Sequence, residues 1–253
     1  MAGSDTVQSV ERALDLLQAL AGSDAGLRLG DLAKTLDLNT TTAHNLVRTL
    51  IGRGFVTKGA GQHLRLGPAL GELVAQEADR RLLRAAATAG VSIQRVFPAC
   101  IINLAEPVGS ELRVRIRLSG DRPGQVQRPA SQTANLHGSA VGLCTQAFAD
   151  QGTVQALREG QPFHEHATRL WASPEALEAH LAQARSDGHV LTPFASQELW
   201  RVSAPVFSTH GHFLAAFGVA LPIALADEAA RRDLIAAVRA AATTIPSSET
   251  EPS

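Results

Sequence analysis

The stretch LNTTTAHNLVRTLIGRGF, residues 38–55, is the strongest constraint on the fold. Ala43, Leu46, Val47, Leu50 and Ile51 recur at i, i+3, i+4, i+7 and i+8, the spacing of one buried helix face. The other face carries Thr41, Asn45 and Arg48, and three threonines, Thr40, Thr41 and Thr42, open the helix. No acid lies between Asp37 and Glu72, while Arg48, Arg53, Lys58 and Arg65 are basic and His44 and His63 share the segment. The plain alternative is a solvated helix with a threonine-rich start. A local basic patch on a chain of net charge −1 also suits a small phosphate-facing surface.

The neighbouring segments decide between these. SVERALDLLQALAG predicts a helix with Val10, Ala13, Leu14, Leu17 and Leu20 inward, Ser9 as its N-cap and Gly22 as its stop. RLGDLAKTLDL predicts a shorter helix with Leu29, Leu32, Ala33 and Leu36 inward, followed by a turn at Asp37-Leu38-Asn39. After the closing Gly52 and Gly54, FVTKGAGQHLRLG reads as a hairpin turning at Gly59-Ala60-Gly61. Helix, helix, turn, helix, hairpin is the order of a winged helix-turn-helix. Its third helix packs on one face and enters the DNA major groove with the other, where carboxylates would repel phosphate. Thr40, Thr41, Thr42 and His44 then suit phosphate oxygens. Asn45 suits a bidentate contact to adenine, and Arg48 a guanine or a phosphate. On the wing, Lys58, Gln62, His63 and Arg65 are candidate phosphate or minor-groove contacts.

At 253 residues the chain is long for one domain, so two are expected. No apolar run reaches the roughly 18 residues that span a bilayer, and the N-terminus lacks the pattern of an export signal. Two cysteines, Cys100 and Cys144, are too few for a disulfide framework, and a reducing cytoplasm is expected. From Pro68 to about Arg95 the pattern is helical and links the halves. Beyond it ACIINLAE, ELRVRIRLSG, HVLTPFA, WRVSAPVFS and FLAAFGVALP read as strands, the second with Leu112, Val114, Ile116 and Leu118 on one side. LHGSAVGLCTQAFA, SPEALEAHLAQARSDG and DEAARRDLIAAVRAAATTI read as helices, and PSSETEPS as a disordered tail. The sum is an α+β chain built on a mostly antiparallel sheet. Its expected parts are a winged helix-turn-helix at 6–67, a linker helix at 68–79, a second domain at 80–246 and a tail at 247–253.

VQSVERALDLLQALAG, LRLGDLAKTLDLNTTTAHNLVRTLIGRGFV and QHLRLGPALGEL together resemble the DNA-binding half of the IclR-type bacterial transcriptional regulators. The family's serine-threonine-alanine-histidine run stands here as Thr41-Thr42-Ala43-His44. NLHGSAVGLC and RVSAPVFSTHGHFLAAFGVALP are similar to stretches of the family's second half. The resemblance implies a GAF-like effector-binding domain, action as a homodimer or homotetramer on a palindromic operator in double-stranded DNA, and a small-molecule effector. It implies a pocket lined by Ala140, Val141, Leu191, Leu199, Arg201, Gly218 and Ala220. Members that bind small carboxylates have an acid near Leu191, a cysteine at Arg201 and serines at Gly218 and Ala220. Their loss leaves an apolar wall with one guanidinium, which needs either an internal acid or an anionic group of the ligand and suits a largely apolar or aromatic ligand with a carboxylate or phenolate for Arg201.

The remaining polar clusters carry less. His164-Glu165-His166 and His210-Gly211-His212 lack metal-ligand spacing and read as surface loops, so neither metal nor cofactor is expected. Cys144 sits on an apolar helix and reads as a small core residue. The alternating Arg113, Arg115 and Arg117 read as a solvated or subunit-facing side, and Arg80, Arg81 and Arg84 as surface or dimer contacts. Two other readings stay open: a regulator whose pocket has closed, and an enzyme working through its second domain. No nucleophile–base pair supports the latter.

Overall fold

The computed structural model describes residues 6–193 and 198–245. The tail and the end of the HVLTPFA strand lie outside the described residues. The chain forms two compact units, Met1–Asp79 and Arg80–Ser253.

In the first unit, α1 (Gln8–Ala21), α2 (Leu29–Thr35) and α3 (Thr40–Gly52) precede a hairpin of β1 (Val56–Lys58) and β2 (Leu64–Leu66). Asn39 starts α3: its side chain accepts the Thr42 backbone N–H at 2.8 Å. The core holds Leu16, Leu20, Leu32, Val47, Val56 and Leu64. A bridge between Leu27 and Leu64 ties the wing to the α1–α2 loop. Gly67 closes the hairpin because a Cβ there would stand 2.1 Å from the Gly54 carbonyl oxygen.

Two expectations for α1 fail. Ser9 lies inside the helix, which starts after Val7 with no side-chain cap. Of the residues expected inward, Leu20 is buried and Leu17 packs against the core, but the fully buried Leu16 is not among them and Val10 and Leu14 are each 55% exposed. Apolar residues here form two adjacent stripes. The core takes the one facing Leu32 and Val47 and leaves the other open.

α4 (Pro68–Val96) runs into the second unit, whose six-stranded antiparallel sheet has the order β5-β4-β3-β8-β7-β6. The strands are β3 (Ile101–Val108), β4 (Glu111–Leu118), β5 (Val126–Gln127), β6 (Val190–Leu191), β7 (Leu199–Phe207) and β8 (Phe213–Pro222). On one face Ile102, Leu104, Val202 and Phe217 pack with Leu82 to Ile93 of α4 and with Leu234 and Val238 of α9 (Glu228–Thr244). On the other face Ala105, Leu112 and Ala216 pack under α5 (Ala140–Phe148) and α8 (Pro174–Asp187). Ser173 caps α8, and Gly188 ends it at φ 71°. Two short helices, α6 (Gln151–Gly160) and α7 (Phe163–His166), and the edge strand β5 are additions to the expected elements.

The expected alternation in β4 buries all four apolar residues, but not on one side. Leu104 pairs with Ile116 while Ala105 pairs with Val114, so Arg115 is an extra residue, a β-bulge. Ile116 and Leu118 join the layer of α4 and α9, and Leu112 that of α5. Among the described residues no helix is long and apolar enough to cross a membrane.

Candidate nucleic-acid interface and effector site

The exposed side of α3 carries the residues expected there. Thr40, Thr41, His44, Asn45 and Arg48 are exposed, and Thr42 is half-buried beside the cap. His44 and Arg48 face a groove of about 730 Å³ between α3 and the wing. Lys58 and Gln62 line its far wall, and Leu29, Val47, Ile51 and Leu64 contribute its apolar surface. Arg28, which immediately precedes α2, also lines it. Arg28 is not among the expected contacts, because it falls before the acid-free segment. Gly61 and Gln62 take positive φ of 66° and 62° in succession, which turns the wing back sharply.

Arg65 is placed differently. Its guanidinium donates to the Ala25 carbonyl at 3.2 Å, and its side chain lies against Gly26, where a Cβ would be 2.8 Å from Cγ. It is exposed and fastens the wing to the α1–α2 loop, with one donor spent on that carbonyl. Thr40, Thr41, Thr42 and Asn45 do not line the groove and lie along the rest of the helix surface.

In the second unit, strand pairing fixes the side of the sheet on which each expected pocket residue sits. Val141, in the first turn of α5, approaches Gly218 so closely that a Cβ there would be 2.6 Å from Val141 Cγ1. Ser203 lies opposite Gly218, and Arg201 lies opposite Ala220 two residues away. Arg201, Gly218 and Ala220 therefore share the α5 face. Leu199, half-buried and opposite Pro222, follows by the same alternation. Leu191 does not. It pairs with Val202 and packs in the layer of α4 and α9, so its assignment to the same wall is corrected. The one-residue parity of a short strand decides the face, and Val190, opposite Ser203, takes the α5 side instead.

The start of α5 is tightly held. Ser139 caps it, and a Cβ at Gly142 would be 2.3 Å from the Asn135 carbonyl oxygen. Ala140 and Val141 are both buried. His137 is fully buried, and its Nε2 lies 2.8 Å from the Gln161 carbonyl. A carbonyl only accepts, so Nε2 carries the proton and Nδ1 is left unpartnered. Burial, first of all, lowers the His137 pKa. The Cys144 thiol is pushed up to about 12 by burial, as is Cys100, which removes both as thiolate nucleophiles near neutral pH. His164 and His166 each lean on Glu165, at 3.3 and 3.7 Å, and among the described residues no three metal-ligating groups converge.

A winged helix-turn-helix with an open, basic α3–wing groove, followed by an α+β unit on an antiparallel sheet, is the architecture of a DNA-binding regulator with a second domain. Residues 9–60 match the IclR helix-turn-helix domain, and residues 125–247 match the bacterial transcriptional regulator IclR C-terminal domain. The chain belongs to the IclR family of transcriptional regulators. It is 26% identical over 240 residues to the HTH-type transcriptional regulator XynR of Escherichia coli K12, covering 88% of this chain and 89% of that one. The Thermotoga maritima IclR structure matches with a TM-score of 0.56 at 15% identity, over 95% of this chain and 98% of that one. An IclR homolog from Microbacterium hydrocarbonoxydans, complexed with 4-hydroxybenzoate, matches with a TM-score of 0.53 at 23% identity, over 94% and 98%. The protein is thus a transcriptional regulator with an effector-binding C-terminal domain.

Proposed function

We propose that the protein binds a palindromic operator as a homodimer or homotetramer in the cytoplasm, and that a largely apolar or aromatic acid controls this binding. Residues 6–67 act as the DNA-binding domain, 68–79 as the linker helix and 80–246 as the effector domain. Thr40, Thr41, Thr42, His44, Asn45 and Arg48 meet the major groove. Lys58 and Gln62 meet the backbone from the wing, with Arg65 mainly holding the wing in place. The observation that carries this reading is the exposed, carboxylate-free side of α3 facing a basic groove. For the effector, Ala140, Val141, Leu199, Gly218 and Ala220 offer apolar surface and Arg201 a charge-assisted contact. An aromatic acid of the size of 4-hydroxybenzoate, the molecule held by the Microbacterium hydrocarbonoxydans homolog, belongs to the assigned class. The ligand acts by favouring one of two dimer arrangements that differ in DNA affinity.

A closed pocket is the second reading, favoured by the packing of Val141 onto Gly218. Selection of bound duplexes from a random pool, at fixed salt and with and without aromatic acids, tests both. A recovered palindrome whose affinity changes with acid is expected. A palindrome indifferent to every acid favours the closed pocket, and recovery of no sequence overturns the DNA-reading assignment. Arg48→Ala and Lys58→Ala should each flatten the dependence of log affinity on log salt by about one unit.

A further inference from the structure

The sheet face beneath α5 holds a second guanidinium. Arg117 lies opposite Asn103, Asn103 opposite Gly218, and Gly218 opposite Ser203. Residues directly opposite share a face, and Gly218 faces Val141 of α5. The bulge at Arg115 brings Arg117 to this side, although Leu112, five residues earlier, is on it as well.

Both arginines are half-buried, and their contacts are weak. Arg117 Nη1 donates to Asn103 Oδ1 at 3.4 Å, and Arg201 Nη1 to the Leu199 carbonyl at 3.5 Å. These distances are at the outer limit of a hydrogen bond. Arg113 and Arg115, by contrast, each have a carboxylate partner, Glu111 and Glu106. Among the described residues neither Arg117 nor Arg201 has an ion-pair partner. Asp121, fully exposed, is influenced by Arg117 less than by any of its other neighbours. Between the two guanidinium-bearing strands the floor at this level is Asn103 and Ile101 of β3 with Gly218 and Ala220 of β8, so Ile101 is the one large apolar side chain between the arginines. Strands β4 and β7 are three spacings apart and the two arginines stand two residues out of line, roughly 16 Å between their Cα atoms, and both long side chains can lean toward one another, so the two heads come within the span of a small molecule.

We propose that the effector carries two acidic groups on an apolar core, one received by Arg201 and the other by Arg117 with Asn103 beside it. The inference rests on the reading of this face as the effector pocket. Two half-buried like charges on one face repel and lose hydration, and an anion at each end relieves both costs. A monoacid satisfies one head and leaves the other unpaired.

Calorimetric titration of the full chain with benzoate and with terephthalate tests this, using the unaltered protein, Arg117→Ala, Arg201→Ala and the more conservative Arg117→Gln. Terephthalate should bind about tenfold tighter than benzoate or better. Either Arg117 variant should remove that advantage and leave benzoate within about threefold, while Arg201→Ala should weaken both acids. Terephthalate binding no tighter than benzoate, or unmoved by Arg117→Gln in a protein with an unaltered circular-dichroism spectrum, overturns the second anchor and leaves the aromatic-acid reading intact. If neither acid binds the unaltered protein, both the anchor and the pocket assignment fall.

Discussion

Val141 and Gly218 fit one another as a large and a small partner. Val141 is β-branched and on a helix, where its χ1 has one strongly preferred rotamer, so it cannot swing aside for a larger neighbour. Gly218→Ser would bring a Cβ to 2.6 Å from Val141 Cγ1, an overpacking that costs about 1–3 kcal/mol. We expect urea denaturation to record that loss and Val141→Ala to recover most of it in the double variant. Simple additivity of the two would show that the contact is not the cause. His137 yields a pH dependence instead. Its neutral, Nε2-protonated ring is held by burial, and Arg158 and His166 further disfavour its charge. The folded pKa is therefore depressed below the unfolded value of about 6.5. The unfolded chain takes up the proton first, so this stabilisation is complete above about pH 6.5 and fades as pH falls through the folded pKa. Stability measured at about pH 7.5 and pH 5.5 should differ less in His137→Phe than in the unaltered protein. An unchanged difference assigns the pH effect to other histidines.

At the scale of elements, α3 is a helix whose start and surface have separate demands. Asn39 satisfies one of its free backbone donors, and removing such a cap costs about 1 kcal/mol. Asn39→Ala should lower the stability of the first unit by that amount. Asn39→Asp keeps the cap and favours the positive helix end, yet it sets a carboxylate at the edge of the surface assigned to phosphate. Thermal melts and DNA titrations should therefore separate: the aspartate variant stable but weaker in binding, the alanine variant less stable. Equal DNA affinity for Asn39→Asp and the unaltered protein would place the backbone elsewhere. Elements with strong local signals are legible in the amino-acid sequence. α3 has its periodicity, α8 its serine cap and terminal glycine, and the hairpin its glycine turn. α6 and α7 are not, because α7 is a single turn of four residues and the amphipathic α6 has only ten, with Val154 and Leu157 as its large apolar residues. The buried face of α1 does not follow from its sequence because two apolar stripes lie side by side, and only the partners Leu32 and Val47 choose between them.

Across the whole chain, the order of elements reveals both units, while the face on which a strand residue lands does not follow from sequence alone. Leu191 is the plain case: two residues of strand, Val190 and Leu191, point opposite ways, and which one meets α5 is fixed by pairing with β7. Arg28 is hidden for a related reason, since only the return of the wing toward α2 sets it beside Arg48 and Lys58. β4 shows the largest departure, because its flawless alternation conceals a change of side at Arg115. That single surplus residue makes the count of residues in β4 matter more than their identity. A different side chain at position 115 leaves both layers filled, whereas a strand one residue shorter would hand Ile116 and Leu118 to the wrong layer and swing Arg117 away from α5. The helical layers and the placement of Arg117 would be lost together, so length drift in this strand is barred where drift in composition is not.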